Sequence, residues 1–239
     1  MKALILAGGR GKRLGEITAN TNKCMLMLGK KPVIEYNLER ASSIDEIKEI
    51  ILVVGHRAED IINYFGTEFQ GRRIRYVIQW EQKGLVHAIE VAKKALETDD
   101  FFLLLGDEIL LGSRQKEMYR QFVKENVFAL CGVTKQSDES KISRTYTVLT
   151  NDSGQIFRLV EKPRVALSRW QGTGHCMFKN SILSYIELTP IHPSRGEKEL
   201  PDLIQCAVDN GQIVKIFDIC DGYSNINDEK DLSDAKNML

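Results

Sequence analysis

The chain has 239 residues, 43% of them hydrophobic, with 33 Lys+Arg against 33 Asp+Glu and a formal net charge of zero. That balance argues against broad nucleic-acid or membrane-surface binding, while leaving room for a local cationic site. The apolar content, with only five prolines, suits a chain that buries a sizeable core as one large α/β domain or two small ones. In chain order, Ala3-Leu4-Ile5-Leu6-Ala7 is too brief an apolar run for a helix and predicts a buried strand. It empties into Gly8-Gly9-Arg10-Gly11-Lys12-Arg13-Leu14-Gly15, a loop of little bulk carrying three cations, with Lys23 shortly after. Lys31-Pro32 opens a helix to about Ser42, proline sitting where a missing N–H costs nothing. Ile50–Val54, Ile74–Gln79 and Phe101–Leu105 predict further strands, separated by helices at about Ala58–Phe65 and Leu85–Leu96. Nearly all-apolar strands alternating with helices predict a mostly parallel sheet covered on both faces.

The pattern changes after about residue 125. Val127–Val133 predicts a strand, and Thr145–Leu149 and Gln155–Val160 a hairpin joined through Asn151-Asp152-Ser153-Gly154. Cys176–Phe178 and Ile213–Ile219 predict two more strands, with helices at roughly Asn180–Glu187, Glu199–Asn210 and Glu229–Met238. With no repeat and no low-complexity linker, two lobes of one compact domain are expected, 1–125 and 126–239. The five cysteines (Cys24, Cys131, Cys176, Cys206, Cys220) are odd in number, widely spaced and lack a Cys-x-x-Cys pair, as reduced thiols in a cytoplasmic protein are. No apolar run reaches the eighteen or so residues of a membrane span, and the apolar start is too short for a signal peptide.

In an open parallel sheet, ligands bind beyond the carboxyl ends of the strands. Four groups with chemistry follow predicted strands: the glycine loop, Gln79 to Gly84, Gly106-Asp107-Glu108, and Glu161-Lys162-Pro163. Glycines let backbone N–H groups approach an anion, and Arg13 and Lys23 can neutralise it, so the first group suits a polyphosphate. It is not Gly-x-x-x-x-Gly-Lys-[Ser/Thr]. Gly9-x-Gly11-x-x-x-Gly15 is a loose dinucleotide variant, but the acidic residue at the required distance, Glu35, falls in a predicted helix rather than at a strand end. Asp107, after five apolar residues and a glycine, can ligate Mg²⁺, which is usually held by one or two carboxylates plus substrate phosphates; the competing reading is a helix N-cap. Pro163 constrains Lys162 to extended geometry, projecting it from the hairpin end toward a second phosphate, or leaving it a surface partner of Glu161. The Gln79 amide can read a base edge that Gly84 lets the backbone approach. His56, His87, His175 and His192 give no metal-site spacing, and there is no Gly-x-Ser-x-Gly for acyl transfer.

These residues together resemble the sugar-1-phosphate nucleotidylyltransferases. Leu6-Ala7-Gly8-Gly9-Arg10-Gly11-Lys12-Arg13-Leu14 is similar to the family's glycine signature, and Asn22-Lys23-Cys24-Met25 through Gly29-Lys30-Lys31-Pro32-Val33-Ile34-Glu35-Tyr36 to the segment that follows it. Gln79 with Gly84–Ala88, Gly106-Asp107, Glu161-Lys162-Pro163, Gly172-Thr173-Gly174 and Arg195–Leu200 also fit, in the family's order. The resemblance implies a Rossmann-like, GT-A-like fold with a nucleotide-binding lobe (1–125) and a smaller sugar-phosphate-binding lobe (126–239). It implies Mg²⁺, a nucleoside triphosphate and a sugar-1-phosphate, with UTP or dTTP favoured, and is compatible with a homo-oligomer. Leu6, Ala7, Gly8, Gly9 and Gly11 would contact the nucleotide, Gln79 and Gly84 its base, and Arg13, Lys23 and Asp107 its phosphates and metal. Tyr146, Glu161, Lys162, Gly174 and Glu199 would hold the sugar phosphate, with Arg13, Lys23 and Lys162 catalytic.

Four departures stand out. Lys12 replaces the family's threonine, Cys24 replaces the proline after Lys23, and Thr147 follows Tyr146 where many members have glycine. Asn225 and Asn227 compete for a second metal position that is often an aspartate. Other readings are a cytidylyl- or guanylyltransferase acting on another phosphorylated polyol or sugar, and a catalytically silent nucleotide-sugar binder that regulates a partner.

Overall fold

In the computed structural model, which describes residues 1–18 and 20–238, the first apolar run is the strand β1 (Lys2–Ala7), buried at every position. Two short 3₁₀ turns follow, at Lys12–Thr18 and Lys23–Met25. Then come the small ribbon strands β2 (Met27–Leu28) and β3 (Lys31–Pro32) and the helix α1 (Val33–Ser42). The first half continues through β4 (Glu49–Val54), α2 (Ala58–Phe65), β5 (Glu68–Phe69), β6 (Arg72–Ile78), α3 (Leu85–Val91), α4 (Lys93–Leu96) and β7 (Phe101–Leu105). Next are β8 (Glu108–Leu111), α5 (Gln115–Glu125), β9 (Ala129–Lys135), α6 (Glu139–Ile142), β10 (Tyr146–Thr150), β11 (Ile156–Glu161) and β12 (Trp170–Phe178). The remainder is α7 (Leu200–Asp209), β13 (Val214–Asp218), β14 (Gly222–Asn225) and α8 (Glu229–Met238).

One ten-stranded sheet runs β11-β10-β12-β7-β1-β4-β6-β5, with β9 also on β12 and β13 on β9. Its centre, β7-β1-β4-β6, is parallel, as the unbroken apolar runs demand. β12 lies antiparallel to both β7 and β9, so residues from the second half extend the sheet of the first. Alternate residues of β1 enter two separate cores, Leu4 and Leu6 on one face, Ala3, Ile5 and Ala7 on the other. A third, smaller core around Leu14, Leu28, Ile109 and Ile226 lies outside the sheet, against the ribbon that β14 makes with β8.

The structure departs from the sequence expectations in several places. The helix over Leu85–Leu96 is two pieces, and that over Asn180–Glu187 is a 3₁₀ turn over Asn180–Tyr185. The expected three-residue strand at Cys176–Phe178 is the end of nine-residue β12, whose earlier half is disguised by Gly172 and Gly174. At Gly172 a Cβ would fall 2.1 Å from Cζ of Tyr146, so the strand has glycine where the aromatic ring lies flat against it. The β8–β14 ribbon was not anticipated: Tyr223-Ser224-Asn225 lacks the apolar residues that mark a strand, but each residue is only half-buried and pairs with the apolar Glu108–Leu111 segment. Among the described residues, no helix is long and apolar enough to cross a membrane.

Candidate active site

Two cavities open beyond the carboxyl ends of the central strands. The first, about 420 Å³, is walled by Leu6, Gly8, Gly9 and Gly11 from the end of β1 and by Gln79, Gly84 and Asp107 from the neighbouring strand ends. Ala7 is buried behind this wall. The Gln79 amide is itself buried, its Nε2 donating to the Gly84 carbonyl at 3.2 Å and lying 3.0 Å from Nδ1 of His87. Two wall residues escaped the sequence reading. Gln82 donates from Nε2 to the Gly8 carbonyl at 3.0 Å, and Glu197 reaches across from the loop before α7. Gly84 has φ +93°, and a Cβ there would sit 2.5 Å from Oε2 of Glu197, so only glycine lets that carboxylate come down onto this wall. Gln82 sits between residues that were singled out, but its strand–helix spacing marks nothing special; Glu197 is more than a hundred residues away in sequence.

Lys23 and Asp107 meet under this cavity, the ammonium bonded to the carboxylate. Burial works against the lysine's charge, but the facing carboxylate outweighs it and holds the Lys23 pKa above its ordinary value. The lysine is placed by Asn22. That fully buried amide donates to the carbonyls of Ala7 (3.0 Å) and His56 (2.7 Å) and accepts from the Cys24 N–H (2.8 Å). It thereby ties the ends of β1 and β4 to the lysine turn and supplies rigidity where the family's proline is missing. Cys24 is buried, its Sγ 3.0 Å from where a Cβ on Gly106 would be, and burial pushes its thiol well above the usual range. The side chain of Lys12 lies outside the described residues.

The second cavity, about 390 Å³, adjoins the first along Leu85 and Leu105, which line both. Arg13, Tyr146, Glu161, Lys162, Gly174 and Glu199 all face it. The Tyr146 hydroxyl donates to the Thr173 carbonyl at 3.1 Å, leaving its ring as the wall. The Gly174 N–H donates to both carboxyl oxygens of Glu108 (3.0 and 2.9 Å), and Tyr223 donates to the same carboxyl at 2.6 Å. Glu108 thus clasps β8, β12 and β14 at the cavity floor; burial pushes its pKa up to about 8. His175 lies beside it, Nε2 3.6 Å from Oε2, and burial holds the imidazole pKa well below its ordinary value. Burial also raises the Glu161 carboxyl, with Lys162 opposing that and Glu199 adding to it. Glu199 is itself bonded to Arg195.

Lys162 is not extended, contrary to the expectation from Pro163. Its φ is +42°, a left-handed conformation that costs a non-glycine residue on the order of 1–3 kcal/mol. The N–H of Lys162 donates to the Thr145 carbonyl at 2.6 Å, continuing the β10–β11 pairing at its open end. The side chain leaves the strand end with its ammonium 3.1 Å from Glu161 and 40% exposed, facing the cavity.

Asn225 and Asn227 come to the same cavity because β14 sets Asn225 opposite Glu108, the residue after Asp107. Asn227 Nδ2 donates to Asn225 Oδ1 at 3.0 Å, and the Ile226 N–H donates to the Asp107 carbonyl at 3.0 Å. Among the described residues no three His, Cys, Asp or Glu side chains cluster for a metal. The donor set here is one carboxylate and two amides.

The nucleotidyl transferase family model matches residues 2–236. The chain belongs to this family. A UTP–glucose-1-phosphate uridylyltransferase of Haloferax volcanii, AglF, is 30% identical over 240 residues, covering 100% of this chain and 96% of that protein. A glucose-1-phosphate thymidylyltransferase of Streptomyces griseus is 32% identical over 244 residues, and this chain spans 64% of its length. A solved UDP-glucose pyrophosphorylase, in complex with UDP-glucose, superposes on 99% of this chain and 97% of its own with a TM-score of 0.89 at 20% identity, a likeness of fold. The resemblance to sugar-1-phosphate nucleotidylyltransferases read from the motifs is borne out, as is the sheet flanked by helices.

Proposed function

We propose that the chain joins a nucleoside triphosphate, in the cavity of the glycine loop, to a sugar-1-phosphate in the second cavity, giving an NDP-sugar and pyrophosphate. The observation that carries this reading is the shared wall: two cavities of ligand size meet at Leu85 and Leu105, beside Asp107, Arg13 and Lys162. A phosphate oxygen of the sugar-1-phosphate attacks the α-phosphorus, and the bond to the β-phosphate oxygen breaks. The attacking group is already an anion, so no general base is required, in keeping with cavity walls that among the described residues include no histidine. What the reaction demands is alignment of two mutually repelling anions and stabilisation of the departing one. We assign Arg13, Lys23 and the loop N–H groups of Gly8, Gly9 and Gly11 to the triphosphate, and Lys162 to the attacking phosphate. Glu161 and Glu199 would accept from sugar hydroxyls. Residues 1–125 act as the nucleotide lobe and 126–239 as the sugar-phosphate lobe, each cavity being completed by the other lobe through Glu197 and Arg13.

Mg²⁺ suits the donor set, since it takes hard oxygen ligands and is commonly held by one carboxylate together with substrate phosphates. Asp107 is the carboxylate of that set, and it faces the Lys23 ammonium. Asp107 would hold the ion with an amide oxygen of Asn225 or Asn227, and the ion would neutralise charge on the transferring and leaving phosphates. The relatives are named for UTP, thymidylyl transfer and glucose-1-phosphate; we therefore favour UTP or dTTP with a hexose-1-phosphate, in the cytoplasm.

Pyrophosphate release, measured over a panel of triphosphates and sugar-1-phosphates, tests the reading, and no turnover with any pair despite demonstrated binding sinks it. Lys162→Ala should lose turnover by at least a hundredfold with triphosphate affinity kept; loss of triphosphate affinity instead would reverse the roles given to Lys23 and Lys162.

A further inference from the structure

Arg144 belongs to none of the motifs that carry the family resemblance, yet it lines the sugar-side cavity and not the nucleotide-side one. It precedes Thr145, whose carbonyl accepts from the Lys162 N–H at 2.6 Å, so Arg144 and Lys162 stand at the same open end of the β10–β11 hairpin. Asn225 and Asn227 complete that end of the cavity. The guanidinium is oriented from behind. Its Nη2 donates to Asp231 at 2.7 Å and to Asp228 at 3.3 Å, and Asp231 is 6% exposed. Asp231 also accepts from the N–H groups of Asn227 (2.9 Å) and Asp228 (3.3 Å), while Asp228 accepts from the Asp231 N–H (2.9 Å). This reciprocal cap at the start of α8 fixes Nη2 of Arg144. Nε and Nη1 make no hydrogen bond to a described residue, and the side chain is 46% exposed. A guanidinium anchored through Nη2 keeps its Nε–H and Nη1–H donors available for single charge-assisted hydrogen bonds to an oxyanion.

We infer that Arg144 binds the phosphate of the sugar-1-phosphate together with Lys162, and that Asp231 is the residue that positions it. The inference rests on the proposed reaction. The Lys162 ammonium is already shared with Glu161 at 3.1 Å, and Arg13, which lines the same cavity, is assigned to the triphosphate; Arg144, at the same hairpin end as Lys162, adds further N–H donors for the phosphate.

The test uses the full chain and measures three quantities for wild type, Arg144→Ala and Arg144→Lys: KM for the sugar-1-phosphate, KM for the triphosphate, and inhibition by inorganic phosphate competing with the sugar-1-phosphate. Arg144→Ala should raise the sugar-phosphate KM and the phosphate inhibition constant together by about tenfold or more, with the triphosphate KM within about twofold; Arg144→Lys should recover part of both. If Arg144 only ties α8 to the hairpin, Arg144→Ala lowers the melting temperature and leaves both constants unchanged, and the inference fails. A raised sugar-phosphate KM with unaltered phosphate inhibition assigns Arg144 to the sugar hydroxyls and also overturns it. Should Arg144→Ala not fold, the same comparison is made with Arg144→Lys and Arg144→Gln. Absence of wild-type turnover would instead strike at the proposed reaction, so the two failures are separable.

Discussion

Asn22→Ala is the substitution that most directly tests how the lysine turn is built. The buried amide makes three hydrogen bonds, to the Ala7 carbonyl, the His56 carbonyl and the Cys24 N–H. Removing it orphans two acceptors and one donor, each costing about 1–3 kcal/mol when water cannot replace the partner. The His56 bond is only part-buried, so water recovers some of that one, and the net loss should be about 3–5 kcal/mol. For a domain of this size that corresponds to a fall in melting temperature of roughly 10 °C. Urea unfolding measures it, as a lower midpoint at unchanged slope. Asn22→Asp sharpens the test. It keeps an acceptor for Cys24 but sets a carboxylate oxygen against two carbonyl oxygens, so above neutral pH it should be at least as destabilising as alanine, and should recover as acid supplies the missing proton. Turnover should fall in both, because Lys23 loses the tie that places it against Asp107. A loss below about 1 kcal/mol for alanine, or an aspartate variant milder than alanine at pH 8, would refute this account of the turn.

Gly172→Ala places a Cβ 2.1 Å from Cζ of Tyr146; the ring must leave, at a cost of about 1–3 kcal/mol or more. The sugar-phosphate KM should rise with the triphosphate KM unchanged, and a wild-type melting curve would contradict the packing. Burial, reinforced by Glu199, raises the Glu161 pKa in the folded chain against the pull of Lys162. Its contribution to stability is therefore present below the unfolded carboxyl pKa and lost as pH rises through the folded value. Glu161→Gln should accordingly gain stability relative to wild type between acid and pH 8, by urea midpoints; a difference independent of pH would show that the carboxyl is not perturbed.

The sheet was legible because its strands are apolar on both faces, which only a covered parallel sheet produces, and because the glycine loop, Gln79, Asp107 and Lys162 fall immediately after strands. What was hidden depends on residues that look ordinary in one dimension. Half of β12 reads as loop because Gly172 and Gly174 serve neighbouring side chains rather than strand propensity. Lys162 reads as extended because Pro163 is adjacent, whereas it takes φ +42° at the open end of the hairpin, where its N–H bonds to Thr145. Asn22 reads as a polar turn residue, but its three partners come from both sides of the loop and from beyond β4. Gln82 and Glu197 lie within stretches that stand out, without standing out themselves, and Arg144 has no local signal at all; each matters through the cavity it faces.

The pairing of β14 with β8 has a consequence for the order in which the molecule can mature. Asp107 and Asn225 are separated by well over a hundred residues of chain, and they become neighbours only when Gly222–Asn225 docks along Glu108–Leu111. Contacts of such long sequence separation form late, after the loop-closure entropy of the intervening chain has been met. On the ribosome, where chains fold from the N-terminal side as they emerge, the glycine loop and its central strands are complete while β14 is still unmade. A nascent chain at that stage has the glycine-loop wall of the first cavity without the asparagine edge of the second. The ribbon therefore makes the meeting of Asp107 and Asn225 one of the last contacts expected to form in the chain.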